Sequence, residues 1–315
     1  MGVWGRASRP QPRKIFEQSW VRKADEKTMQ PTLWQQLTSF LNLRMAFEQA
    51  ARGKRSHAAV ASFEFDLEEN LLRLRDELRS ASYQPGEYVN FWIHDPKRRL
   101  ISAAPFRDRV VHHALCNVIQ PLWERRFVYD SYANRVGKGT HKALDRATQY
   151  LRRFRYVLPL DVRKFFPSVD HAILLQQLQQ GIRDEDVLDL CARILRGGEG
   201  VLATEYEMVY FPGDDLLAAI RPRGLPIGNL TSQFWANVYL NGLDHFIKRR
   251  LGVGGYVRYV DDMLLFGDDL RQMHMWRQAV IRRLADLRLT VHEGSAQPRP
   301  CAIGIPFLEI GRAHV

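Results

Sequence analysis

The stretch Tyr256-Val-Arg-Tyr-Val-Asp-Asp-Met-Leu-Leu-Phe266 constrains the fold more than any other. Val257, Tyr259 and Val260 on one side, and Leu264, Leu265 and Phe266 on the other, favour extended backbone. The adjacent Asp261 and Asp262 suit a turn between two strands. A hairpin with two carboxylates on its tip is costly, because like charges this close raise each other's pKa unless a cation lies between them. Aspartate is common in turns, so by itself the pair reads as a solvated corner. A second segment changes that reading. Tyr156-Val-Leu-Pro-Leu-Asp161 is an apolar run that ends abruptly in a carboxylate. If the two runs are neighbours in one sheet, Asp161, Asp261 and Asp262 converge at one end of it. Converging carboxylates make a site for hard divalent cations. A pair of such ions clamps the attacking and leaving oxygens of an in-line phosphoryl displacement.

The charge balance points the same way. The 315 residues carry a formal net charge of +11, and the pI is about 9.8. Such an excess of Lys and Arg suits a polyanionic partner, nucleic acid first. The length allows one large domain or two modest ones. No apolar run of about 18 residues exists, so no membrane span is expected. The N-terminus lacks the apolar core of a secretory signal. Cys116, Cys191 and Cys301 are far apart and fit neither a zinc pattern nor a disulfide framework. A reducing, cytoplasmic location is the expectation.

Along the chain, residues 1–36 read as a loosely ordered basic arm. Arg6, Arg9, Arg13, Lys14, Arg22 and Lys23 are interleaved with Trp4, Phe16 and Trp20. The arm reads equally as a disordered tail and as a segment touching RNA backbone; Met29 is an alternative start. Apolar periodicity predicts helices over residues 37–51 and 63–80, the second with Phe65 on its apolar face. A hairpin is expected over 88–94 and 98–102, with Asp95-Pro96 at its turn. A helix follows from Pro105 to about Ile119, with His112 and His113 as packing residues rather than ligands. Residues 130–144 read as a glycine-containing basic loop entering a helix, where backbone donors can meet phosphate. Helices are expected over 171–180 and 185–195. Residues 197–223 read as an irregular insertion with a hairpin over 201–211, and its Asp214-Asp215 pair as solvated. Arg223-Gly-Leu-Pro-Ile-Gly-Asn-Leu-Thr-Ser-Gln233 opens a helix over 234–250, with Thr231 or Ser232 as its cap.

The Tyr259-Val260-Asp261-Asp262 box, with Asp161-Val-Arg-Lys-Phe-Phe166 upstream, resembles the palm of reverse transcriptases. Finer features resemble the reverse transcriptases of diversity-generating retroelements: Leu225-Pro-Ile-Gly-Asn-Leu-Thr-Ser-Gln233, the segment Ile101 to Leu115, and Ser131 to His141. The resemblance covers about residues 37–308. It implies an α+β fingers–palm polymerase (right-hand) core, with an antiparallel palm sheet and packed helices. Fingers fall over 37–155 and palm over 156–308. The implied activity is error-prone, RNA-directed DNA synthesis from a template RNA and a DNA primer with dNTPs, helped by a small basic accessory protein, in a bacterial or phage setting. Asp161, Asp261 and Asp262 would be catalytic, and with the Val162 carbonyl would hold two Mg2+ ions, with Mn2+ as an alternative. Arg99 and Arg107 are first choices for the nucleotide triphosphate. Phe166, five positions after Asp161, would exclude a ribose 2′-OH by steric clash. Ile227 and Gly228 would lie beneath the nascent base pair. Where intron and retroviral relatives carry Gln, Ile227 removes a polar check on pairing. Arg135, Lys138 and Tyr259 would contact template or primer. A group II intron-type or defence-associated reverse transcriptase and a non-catalytic RNA-binding scaffold are the alternatives.

Departures from the family pattern occur near the C-terminus. Ser295 stands near the place where relatives carry a Lys, so no general acid is assigned. After Gly304-Ile-Pro-Phe-Leu308 the expected Gly is replaced by Glu309-Ile-Gly-Arg-Ala-His-Val315. That heptapeptide matches a translated short-read sequencing adapter. Residues 309–315 are therefore expected to be a non-native tail, with the thumb missing.

Overall fold

The computed structural model describes residues 1–2, 30–94 and 98–308, and the backbone of Arg312–Ala313. Residues 3–29 of the basic arm, the Asp95-Pro96 turn and most of the C-terminal heptapeptide lie outside the described residues. Contacts divide the chain into Met1–Pro31 and Thr32–Val315, and the elements described below belong to the second. Within it, one core cluster runs from Leu37 to Ala296, through both the fingers and the palm of the sequence reading.

Two helical expectations are corrected. The helix expected over 37–51 starts at Phe40 as α2 (Phe40–Ala51), because the Ser39 side chain caps it by accepting from the Asn42 amide, and a separate short helix α1 (Leu33–Leu37) occupies the end of the stretch expected to be a loose arm. A Thr32–Gln35 capping box starts α1. Residues 63–80 divide at Asp66 into α3 (Ala58–Phe65) and α4 (Leu67–Arg79). The break shifts the helical phase and leaves Phe65 86 % exposed rather than on the apolar face. A two-stranded sheet of β1 (Val89–Ile93) and β2 (Arg99–Ala103) follows, in antiparallel register as expected. Helix α5 (Phe106–Glu124) is longer than expected and packs along α2. Burial pushes the imidazoles of His112 and His113 down to about 3 and about 4, the neutral state that suits packing residues.

The central sheet has the order β4-β5-β3-β6, all antiparallel. Its strands are β3 (Tyr156–Asp161), β4 (Gly255–Tyr259), β5 (Asp262–Gly267) and β6 (Arg299–Pro300). Both faces are covered, so the strands are apolar on both sides. Val157, Val257, Leu264 and Phe266 face one core cluster together with α6 (Thr140–Arg153). Leu158, Leu160, Tyr256, Met263 and Leu265 belong to the other, with α10 (Leu230–His245) and α11 (Leu270–Asp286). Between sheet and α10 come α7 (Phe165–Ser168), α8 (His171–Gly181) and α9 (Glu185–Gly197).

Three further expectations are corrected. Residues 201–211 form no strand; short 3-10 turns take their place at Ala203–Glu205 and Leu216–Ile220. Asp214 is not solvated: its side chain is 2 % exposed and is clasped by Arg221 and Arg288. The cations that bury it lie seven and 74 residues away, so a local reading could not find them. Helix α10 begins at Leu230, with Asn229 at the capping position. Thr231 and Ser232 are buried in its first turn instead of capping it. The three cysteines are free and buried. No helix among the described residues is long and apolar enough to cross a membrane.

Candidate active site

Strand pairing brings the carboxylates together. Asp161 and Asp262 are register partners across β3 and β5, and Tyr259 faces Asp262 across β4 and β5. Partners in adjacent antiparallel strands hold their Cβ atoms about 4.5–5.5 Å apart. Asp261 lies in the two-residue connection between Tyr259 and Asp262, and so completes the group. The turn is Val260-Asp261 rather than the Asp-Asp pair, because Asp262 already belongs to β5.

The connection is strained. Val260 has φ 54°, a left-handed conformation at a β-branched residue. Two-residue hairpin turns with positive φ at their first position favour Gly there. Holding Val in that region costs on the order of 1–3 kcal/mol, which the surrounding contacts must offset.

The electrostatics are those of a site short of positive charge. Burial, then the neighbouring Asp161, push the Asp261 carboxyl up to about 6; Arg99 and Arg258 oppose this. Arg99, the first residue of β2, is thus one of the cations whose charge acts on Asp261. Among the described residues, no group of three or more His, Cys, Asp or Glu side chains stands at metal-ligand spacing. The donors themselves are hard oxygens, the chemistry that Mg2+ or Mn2+ takes.

Around the carboxylates, Val162 is buried and bridges to Val291. The His292 amide donates to the Asp161 carbonyl at 3.0 Å, and its Nε2 lies 4.0 Å from Asp161 Oδ2. The Ser295 hydroxyl donates to the His292 carbonyl. An open cleft of about 830 Å³ adjoins Asp161, between Arg163, Val209 and His292. Phe166 is half-buried, its ring 5.3 Å from the buried Phe165. The loop before α10 docks on the hairpin. Ser102 N donates to the Ile227 carbonyl at 2.8 Å, and Asn229 bonds both Ser102 O and Ala104 N. Gly228 has φ 109°, and a Cβ there would meet Ile101 Cγ2 at 2.9 Å. Gly228→Ala is therefore expected to destabilise the fold by about 1–3 kcal/mol, measured by denaturant unfolding, and to loosen the hairpin from the loop.

Several candidate residues have protein partners of their own. Arg107 pairs with Glu77, donates to the Gln84 carbonyl and lies over the Tyr83 ring. Arg135 pairs with Glu124 and donates to the Val128 and Ser131 carbonyls, with a side chain only 7 % exposed. Lys138 is more exposed; its Nζ sits 3.2 Å from the Tyr129 ring centre. Tyr259 accepts at its hydroxyl from Thr140 Oγ1 at 3.0 Å, which ties the turn to α6.

The sequence reading missed Arg258, which is fully buried beneath the turn against Asp244. A cation between Tyr256 and Tyr259 at an inward-facing strand position was the available signal. It also missed Glu207 and Glu205, which pair with Arg163 and Lys164 just after Asp161.

With this geometry in place, comparison with known proteins is informative. Residues 94–294 match the family model described as reverse transcriptase (RNA-dependent DNA polymerase). Protein YkfC of Escherichia coli (strain K12) is 27 % identical over 184 residues, which are 56 % of this chain and 45 % of that protein. The group II intron-encoded protein LtrA of Lactococcus lactis subsp. cremoris is 23 % identical over 183 residues, 57 % of this chain and 28 % of that one. The chain thus spans less than half the length of these curated relatives. Among solved structures, telomerase from Candida albicans covers 75 % of this chain and 47 % of its own, at TM-score 0.47 and 11 % identity. The matched residues hold the β1–β2 hairpin's second strand, the loop before α10 and all three aspartates, the α+β fingers–palm core. The chain belongs to the reverse transcriptase family.

Proposed function

We propose that the chain is the catalytic part of an RNA-directed DNA polymerase. The observation that carries this is the register of β3, β4 and β5, which sets Asp161 and Asp262 opposite each other with Asp261 on the connecting turn. Asp161 and Asp261, with support from Asp262 and the Val162 carbonyl, would hold two Mg2+ or Mn2+ ions. Those ions supply Lewis-acid activation of the primer 3′-OH and charge neutralisation at the leaving pyrophosphate. The protein's own part is placement. Arg99, near enough to Asp261 to lower its pKa, is the first candidate for a triphosphate contact. Phe166 crowds the sugar position, and Ile227 with Gly228 forms the floor under the base pair. Lys138 and Tyr259 line the template side.

The finer reading is error-prone cDNA synthesis from a template RNA in a diversity-generating retroelement, with a small basic accessory protein as partner. Its support is the sequence of the Leu225 to Gln233 loop, where Ile227 offers no side-chain hydrogen bond. The intron-type reading is kept beside it because LtrA, a relative, is a group II intron-encoded protein. Primer extension on a defined RNA template, with Mg2+ and dNTPs, separates them. Extension with errors concentrated opposite adenine is the expected result. Accurate extension would move the chain toward the intron-type enzymes, and no extension with accessory protein supplied would favour an RNA-binding scaffold.

A further inference from the structure

The turn that carries Asp261 is held from below by one buried side chain. Arg258 is 0 % exposed and lies on the β4 face that looks toward α10. A guanidinium has five N–H donors, and each of the five finds an acceptor. Nε and Nη2 meet the two oxygens of Asp244 at 2.7 Å each. Nη2 also donates to Ser131 Oγ at 3.0 Å. Nη1 donates to Asn237 Oδ1 at 3.1 Å and to the Val260 carbonyl at 3.0 Å. Asp244 is further fixed by the Tyr256 hydroxyl at 2.7 Å, and Asn237 by its own bond to the Ala133 carbonyl. Backbone bonds close the knot: Arg258 N donates to Asp130 O, and Tyr132 N to Arg258 O.

A buried ion pair is poor evidence of stability, because an apolar pair of the same volume does as well or better. What an apolar pair cannot supply is geometry. The fork joins four places at once: α10 through Asp244 and Asn237, the 130–133 loop through Ser131, β4 itself, and the turn through Val260. Val260 is the residue with the unfavourable positive φ, and it immediately precedes Asp261. Removing the hydrogen bond to its carbonyl frees the turn to relax and carries Asp261 away from Asp161.

We propose that Arg258 is a positioning residue, acting through the Val260 carbonyl to hold the strained turn that keeps Asp261 beside Asp161. The proposal rests on the polymerase reading of the site, so its test includes a readout that needs no turnover. Two variants are compared with the unaltered full chain. The double variant Arg258→Met with Asp244→Leu removes the charge pair together and leaves no buried lone ion. Arg258→Lys keeps a cation opposite Asp244 but cannot serve all the acceptors. Folding is followed by thermal unfolding, Mn2+ affinity by electron paramagnetic resonance, and kcat and KM for dNTP by primer extension.

Cooperative unfolding in at least one variant is expected, with Mn2+ affinity and kcat each down about tenfold to a hundredfold and KM little changed, the signature of misplaced rather than missing groups. A folded variant that binds Mn2+ like the unaltered chain would overturn the proposal. So would failure of both variants to fold, which would make Arg258 an element of the core and nothing more. Loss confined to KM would also count against it. If the unaltered chain neither binds Mn2+ nor extends primer, the polymerase reading fails and the positioning role goes with it; if it does both and the variants match it, only the positioning role fails.

Discussion

Asp261→Asn is expected to lower primer extension by about a thousandfold or more, while the protein becomes more stable at neutral pH in the absence of metal. The first effect follows if Asp261 is the metal ligand proposed above and acts as one unit with Asp161. The second follows from the raised pKa. A carboxyl whose folded pKa is about 6, against 3.8 in the reference state, resists ionisation in the fold. Below about pH 4 both states are protonated and nothing is lost. Between pH 4 and 6 the unfolded chain ionises first, so stability falls as pH rises, and the loss is complete above about pH 6. The shift caps this loss at about 3 kcal/mol. Asparagine removes it, so the variant should melt higher at pH 7.5 and no higher at pH 4. Mg2+ or Mn2+ should raise the melting temperature of the unaltered chain and leave that of Asp261→Asn nearly unmoved. Thermal unfolding at the two pH values, with and without cation, checks both signs. A variant that retains activity would remove Asp261 from the catalytic group.

The second large effect is expected at Phe166. Phe166→Ala should reduce the preference for dNTP over rNTP by about 10- to 200-fold, the range that loss of a small apolar contact or clash produces. Its ring is half-buried and edge-on to Phe165, and its backbone carbonyl accepts from Leu225 N at 2.8 Å. The first contact fixes the ring's direction and the second ties α7 to the loop that contains Ile227. Truncation removes the ring without disturbing that backbone bond. Because the ring is only partly buried, the stability cost should fall below the 3–5 kcal/mol typical of a core Phe→Ala change. Competitive incorporation of rCTP and dCTP opposite a template G measures the preference. An unchanged ratio would mean that Phe166 only packs.

How much of this could be read without coordinates depended on the range of the interaction. The three strands around the aspartates were legible because period and β-branched composition are local properties. The carboxylates' convergence was legible once two strands were assumed to be neighbours. Helix boundaries were less so: Ser39 and Thr32 are ordinary capping residues, but a continuous apolar rhythm on both sides masked the break that Ser39 makes. Asp214 was misread because a doublet of acids in a loop has the local character of a solvated turn, whatever buries it from a distance. Arg107 and Arg135 were chosen for charge and order along the chain. Their partners, Glu77 and Glu124, lie on other elements, so those ion pairs could not be read locally.

By itself the sequence determined the elements that carry the chemistry: the apolar strand ending at Asp161, the hairpin ending at Asp261 and Asp262, and the glycine-bearing loop before α10. Only the tertiary structure decided how those elements are held. Arg258 takes acceptors 14 residues away in Asp244 and 127 away in Ser131, and it is those distant groups that allow a Val to stand where a turn prefers Gly. The physical reason is that strand formation answers to neighbours along the chain, whereas the fate of a charge depends on which opposite charges and carbonyls the fold brings within hydrogen-bond reach.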